Sequence, residues 1–219
     1  MSAHAISRQK SKQALNRSSR RHHLEERIAR LEQYLETQHT ITRIIAAASE
    51  LKTALPHILQ AICETADWDF GEVWYVNRQD NHLHCQSTWL RPSLKLPQFE
   101  NSGQSITFKS GKGLPGRVWK TGKPAWVPNV VVDKNFMRSM IAKQDGLHAG
   151  IAIPIRTEGE IIGALTFFSR TPRPLDRELL QVLYTAGNQI GLFIERKRAE
   201  QEEREREWIL AASEERQRL

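Results

Sequence analysis

Leu24, Ile28, Leu31 and Leu35 recur at intervals of four, three and four residues. That spacing predicts a helix with an a/d seam, and Glu25, Glu26, Arg27, Arg30 and Glu32 occupy its other faces. Ile41, Ile44, Ile45, Ala48 and Leu51 continue a helix with a broader apolar stripe. Pro56 suits the first turn of a new helix over 55–66, whose buried face is Ile58, Leu59, Ile62 and Cys63. The period then changes. Residues 70–78 are rich in aromatic and β-branched residues and predict a strand; Gln79-Asp80-Asn81 is a turn signal and 83–90 reads as the return strand of a hairpin. Residues 91–104 read as a loop with a short helix, 105–109 as a short strand, and 111–122 as a Gly-rich stretch around Val118-Trp119. Two prolines make 124–128 extended, and 135–144 reads as a short helix. Strong strands follow at 148–156 and 160–169, joined at Thr157-Glu158-Gly159. Leu179, Leu183, Ala186, Ile190 and Phe193 then mark a helix. Beyond Glu195 its apolar stripe ends, but no Gly or Pro occurs after Gly191, so one continuous helix is expected to leave the domain. The pattern is helix, α+β domain, helix.

Charge changes this picture only at one end. Arg8, Lys10, Lys12, Arg17, Arg20 and Arg21 carry +6 of the net +7, and no acid occurs in residues 1–24. The basicity therefore belongs to a terminal segment and not to a domain surface, which argues against a nucleic-acid-binding domain. Such a segment suits phosphates, lipid headgroups or an organelle transit signal, but the plainer reading is a disordered tail over 1–22. No apolar run approaches the ~18–20 residues of a membrane helix, and no apolar signal core follows Met1. Two isolated cysteines, Cys63 and Cys85, suit a reducing cytoplasmic compartment.

Candidate chemistry is sparse. Gly111-Lys112-Gly113-Leu114-Pro115-Gly116 fits G-x-G-x-x-G, but Gly122 follows too soon for a βαβ crossover helix. As a P-loop the segment fails as well: Gly116 stands one residue too far from Gly122-Lys123, and Pro124 replaces the magnesium-binding hydroxyl. His82 and His84 share a strand face while Cys85 points away, so they form no metal set. No G-x-S-x-G or H-E-x-x-H is present, and the carboxylates of the core are scattered singly, unlike a paired acid/base site. Of the six tryptophans, Trp74, Trp89, Trp119 and Trp126 fall in or beside predicted strands and the Gly-rich loop. They fit core packing or the lining of a cleft for a planar ligand.

The order of elements resembles a GAF domain. The marks are Phe70-Gly71-Glu72-Val73-Trp74, then Gly111 through Trp119 with Thr121-Gly122-Lys123-Pro124. Asp133, Gly146-Leu147, Ala152-Ile153-Pro154-Ile155, Gly163-Ala164-Leu165 and Phe167-Phe168-Ser169 follow in order. The resemblance covers about residues 50–195. It implies a central antiparallel sheet with helices against one face and a pocket on the other, roofed by 91–147. Ser213-Glu214-Glu215-Arg216-Gln217-Arg218-Leu219 is similar to the start of the dimerisation helix in NarL-partner-class sensor histidine kinases, and Ser-Glu-Glu-Arg also opens PAS domains. Departures from the family narrow the ligand. Met140-Ile141 stands where cyclic-nucleotide-binding relatives carry Asp-Glu, and 129–150 holds no cysteine for a covalent bilin. The several pocket cysteines of methionine-sulfoxide-reducing relatives are missing too.

The expected organisation is a basic tail (1–22), a connecting coiled-coil helix (23–52), a GAF domain (53–194) and a signalling helix (195–219) that leads toward a kinase or PAS domain in cis. The expected function is sensory control of a histidine kinase through a homodimer, with no catalysis by this chain. The alternatives are a ligand-free dimerisation module, or part of a complete kinase whose catalytic region lies beyond Leu219. Dimer contacts are expected at Leu24, Ile28, Leu31, Leu35, Leu183, Ala186, Ile190 and Phe193. An unidentified small ligand is expected near Trp74, Trp126, Phe136 and His148.

Overall fold

Helix α1 spans Ala3–Ala47 and α2 Leu51–Thr65. The computed structural model describes the backbone of residues 3–217 and the side chains of 19–209 apart from Gln104. Strands β1 (Phe70–Asn77) and β2 (His82–Leu90) form the hairpin. The long segment after it folds into α3 (Pro97–Ser105), α4 (Gly113–Thr121), a short β3 (Ala125–Val127) and α5 (Ser139–Gln144). Strands β4 (Ala149–Arg156) and β5 (Ile161–Ser169) precede α6 (Arg177–Gln217). The five strands form one antiparallel sheet in the order β2-β1-β5-β4-β3.

Strand period two divides the core. Val73, Leu165, Phe167, Ile151, Ile153 and Ile155 face α1, α2 and α6. Phe70, Trp74, Ala164, Phe168 and Ala152 face α3, α4, α5 and the segments between them, which form a roof. Both sheet faces are therefore covered, which explains why β4 and β5 are almost continuously buried.

Several expectations are corrected. The 105–109 strand is a single bridge, Leu83 to Phe108, because α3 takes up Ser105. The Gly-rich stretch is helix α4, which ends at Gly122 in the left-handed region (φ 65°). Helix α2 starts at Leu51, so Pro56 lies inside it and not in its first turn. Residues 3–22, expected as a disordered tail, are the first turns of α1. No Gly or Pro interrupts residues 3–47, and the apolar stripe missing from their start governs burial, not helicity. The side chains from Arg8 to Arg17 lie outside the described residues.

The two expected dimer seams separate. Leu183, Ala186, Ile190 and Phe193 are buried in the helix-side core, where α6 packs on β4, so they are unavailable to a second copy. Their heptad spacing served the sheet. On α1, Tyr34, Thr37 and Ile41 are buried against the domain. At about 100° per residue the Leu24–Leu35 seam lies roughly 120° around the helix from that stripe. Leu24, Ile28, Leu31 and Leu35 accordingly stay 60%, 54%, 39% and 56% exposed.

Helix α6 opens on Asp176, whose Oδ1 accepts the N–H groups of Glu178 and Leu179 at 3.0 Å each. It then approaches the sheet closely at two glycines four residues apart. A Cβ on Gly187 would stand 2.5 Å from the Pro154 carbonyl oxygen, and one on Gly191 would collide with the Arg156 carbonyl. Gly→Ala inside a helix ordinarily stabilises by ~1 kcal/mol. Here the sign reverses: Gly191→Ala is expected to cost about 2 kcal/mol, because α6 must lift from β4. Gly159, with nothing near its Cβ position, serves as the control; Gly159→Ala should stay within ~0.5 kcal/mol in the same urea titration.

Candidate functional site

The centre of the roof side is a buried ion pair. Glu72 sits on β1 between Phe70 and Trp74 on the roof face, directly opposite Thr166 of β5. Its neighbours follow from that register. Thr166 donates its hydroxyl to Glu72 Oε2 at 2.9 Å, and the Trp74 indole N–H reaches the same oxygen at 3.1 Å. Arg138, the residue before α5, completes the set. Its Nη1 and Nη2 donate to Oε1 and Oε2 at 2.7 and 2.6 Å, the two-pronged geometry of a strong guanidinium–carboxylate contact. The Arg138 and Glu72 side chains are 1% and 0% exposed.

The guanidinium is surrounded by aromatic rings as well as paired. Its carbon lies 3.8 Å from the centre of the Phe99 ring on α3, and 5.5–5.8 Å from those of Phe168, Trp74 and Phe108. Ser102, one turn along α3 from Phe99, stands 3.5 Å from Nη1. Phe99 is itself held edge-on to Phe70 and Phe168 and stacked with Phe136. The Phe99 N–H donates to Asp145 at 2.8 Å, which ties the start of α3 to the end of α5. Arg138 Nε is buried and has no hydrogen-bond partner among the described residues.

Neighbouring candidates resolve differently. Around the Gly-rich turn the backbone groups are already engaged. Asn135 Nδ2 donates to the Gly111 carbonyl at 3.1 Å, and the Gly113 N–H donates to Asn135 Oδ1 at 3.3 Å. Gly111 N–H is taken by the Gly116 carbonyl at 2.7 Å. Asp133 anchors the same loop through Arg117, at 2.7 and 2.9 Å. The motif thus closes on a side-chain amide where a nucleotide fold would offer phosphate donors. His84 pairs with Asp80 at 2.6 Å on the hairpin, and His82 contacts the Asp80 carbonyl. Cys63 packs in the helix-side core and Cys85 against the roof-side one. Burial, and then the Glu72 charge, push the Cys85 thiol up to about 12, so it is a thiol and not a nucleophilic thiolate at neutral pH.

Of the four expected ligand residues, Trp74 and Phe136 belong to this centre. Trp126 does not. It is on strand β3, where Val127 turns to the roof, and its ring lies on the opposite face against Trp68 at 5.5 Å. Its indole N–H donates to the Arg173 carbonyl at 3.1 Å. His148 precedes β4 and is tied through its backbone to Val130 and Ser169, with Nδ1 buried and unpaired among the described residues. Glu72, Thr166, Phe99 and Arg138 were not singled out in the sequence as site residues. Glu72 carries a readable signal, a lone acid on the apolar strand Phe70–Val76. Arg138 carries none, being 66 residues away within 135–144, which the sequence marks only as a short helix.

The sheet order, the roof and the flanking helices define the chain's class. The family model described as "GAF domain" matches residues 48–195, and the chain belongs to that family. The "Nif-specific regulatory protein" of Azospirillum lipoferum is 27% identical over 135 residues, 60% of this chain and 20% of that protein. The chain thus spans about a fifth of the length of the curated relatives it matches. Among solved structures, the GAF domain of a phosphoenolpyruvate-protein phosphotransferase from Coxiella burnetii superimposes with a TM-score of 0.66 at 20% identity, covering 78% of this chain and 97% of that one. A free methionine-R-sulfoxide reductase from Neisseria meningitidis gives 0.63 at 17% identity, with 76% and 90% covered. The domain of a putative two-component sensor histidine kinase from Sinorhizobium meliloti gives 0.57 at 18%, with 72% and 99% covered. These likenesses show the fold. Among the described residues no helix is long and apolar enough to cross a membrane.

The ion pair sets the site's energetics. Removing one partner of a buried pair leaves an uncompensated charge and typically costs ~3–5 kcal/mol, whereas replacing both with neutral groups costs far less. Arg138→Met alone should therefore lose ~3–5 kcal/mol in chemical denaturation. Glu72→Gln added to it should recover more than half of that loss, and no recovery would mean the pair is not coupled as described.

Proposed function

We propose that this chain is the sensory module of a signalling protein, and that it controls a histidine kinase of the NarL-partner class through a homodimer. Residues 53–194 form the GAF core. The segment 195–219, helical through Gln217, leads toward a kinase or PAS domain in cis, and the compartment is cytoplasmic. An unidentified small ligand, neither a cyclic nucleotide nor a covalent bilin, acts at the roof side.

The observation that carries this reading is the continuity of α6. Its first half is seated on β4, while β4 turns Ala152 toward the roof core. A change of packing on the roof side therefore has a rigid element through which to leave the domain. Helix α1 runs beside α6 and is tied to its start by Tyr34 to Asp176 at 2.7 Å and Arg27 to Glu178 at 2.6 Å. Both long helices thus move with the same sheet face. The exposed Leu24–Leu35 seam supports pairing of two copies along α1, and exposed Leu192, Trp208 and Ile209 extend apolar surface along α6. One observation favours the second reading, a ligand-free dimerisation module: Arg138 and Phe99 fill the roof-side centre themselves.

Sedimentation equilibrium tests the dimer. The wild-type chain should be dimeric at micromolar concentration. Ile28→Glu with Leu31→Glu should give a monomer that keeps the wild-type far-UV circular dichroism, since both positions are exposed in the monomer fold, and its melting temperature should no longer depend on concentration. A monomeric wild type would contradict the proposal.

A further inference from the structure

We propose that the Glu72 centre is a binding site for a small guanidinium compound and that Arg138 is its built-in occupant, displaced when the ligand arrives. The two halves of the pair are held very differently. Glu72 is fixed in β1, which is hydrogen-bonded on one side to β2 and on the other to β5. Thr166 and Trp74 hold its carboxylate from the same rigid sheet. Arg138 comes from the irregular stretch between β3 and the six-residue α5. The removable partner is the arginine.

What remains when the arginine leaves defines the ligand. A buried carboxylate offers two oxygens in one plane, accepting at 2.7 and 2.6 Å, beneath the face of Phe99. The occupant must be cationic, because an anion or a neutral molecule leaves the Glu72 charge buried without compensation. It must be planar to lie on Phe99, and it must donate from two adjacent nitrogens. Quaternary ammonium ions match the aromatic walls but have no N–H to give. A guanidinium meets all three demands. The internal arginine meets them imperfectly: its Nε is buried without an acceptor, which lowers what its displacement costs.

Displacement also has somewhere to act. The stretch carrying Arg138 continues from β3, which is paired to β4, and β4 carries α6. The signalling consequence of binding rests on the regulatory reading above; binding itself does not.

Isothermal titration with methylguanidinium and agmatine tests the proposal, with tetramethylammonium at equal ionic strength as the control. Wild type should bind at least one of the two saturably. Arg138→Met should bind it at least tenfold more tightly, since the internal competitor is gone. Glu72→Gln with Arg138→Met should lose binding, and tetramethylammonium should bind none of the three proteins. If Arg138→Met is unfolded alone, methylguanidinium should restore its far-UV circular dichroism. Absence of saturable binding to wild type overturns the proposal. So does equal binding by the double variant, or an Arg138→Met chain that neither binds nor is restored. None of these failures alters the sedimentation result, so the regulatory reading is judged separately.

Discussion

The roof of this domain depends on one buried contact between Glu72 and Arg138. The sheet needs no help from it: strands β1, β4 and β5 are pinned by hydrogen bonds and by apolar side chains on both faces. The roof is different. It consists of short helices, a three-residue strand and irregular chain, elements too small to hold a position by their own hydrogen bonds. Arg138 reaches from that segment to the sheet, and Phe99 from α3 closes over it. Buried ion pairs add little net stability compared with apolar groups of the same size. What this one supplies is registration, because a two-pronged contact tolerates few alternative placements of the stretch that bears it.

The sheet converts that arrangement into a two-sided device. Alternate residues of the same strands face the roof and the long helices, so any shift of a strand is felt on both sides. Helix α6 packs closely on β4, since Gly187 and Gly191 bring backbone against backbone. The chain belongs to the GAF domain family. The regulatory role proposed for it fits a fold in which one face holds a chemically specific centre and the other face holds the helices that leave it.

The sequence made most of the scaffold legible. Aromatic and β-branched content located β1, the turn after it located β2, apolar runs located β4 and β5, and the Leu179–Phe193 period located α6 within two residues of its start. Period alone did not say what the stripe touches, so Leu183, Ala186, Ile190 and Phe193 were read as a dimer seam when they pack on the sheet. Helix α4 was hidden because three of its nine residues are Gly or Pro, poor formers that tertiary packing overrides. The extended reading of 124–128 matches β3, but Trp126 was assigned to the roof with the long segment around it, whereas pairing with Ile151 fixes it on a sheet edge facing the helices. The Glu72 centre was half legible. A carboxylate on an apolar strand demands a partner, but its partner lies in a stretch without periodicity, and only the folded chain brings the two together.

Hydrogen exchange resolved by mass spectrometry tests most directly whether the ion pair registers the roof. Glu72→Gln leaves Arg138 buried without its counter-charge while changing no backbone contact. Peptides across 97–147 should exchange at least about tenfold faster than in wild type, equivalent to ~1.4 kcal/mol of local opening. Peptides from β5 and from the buried half of α6 should keep their protection. Unchanged exchange in the roof, or an equal acceleration across sheet, helices and roof alike, would contradict that role of the ion pair.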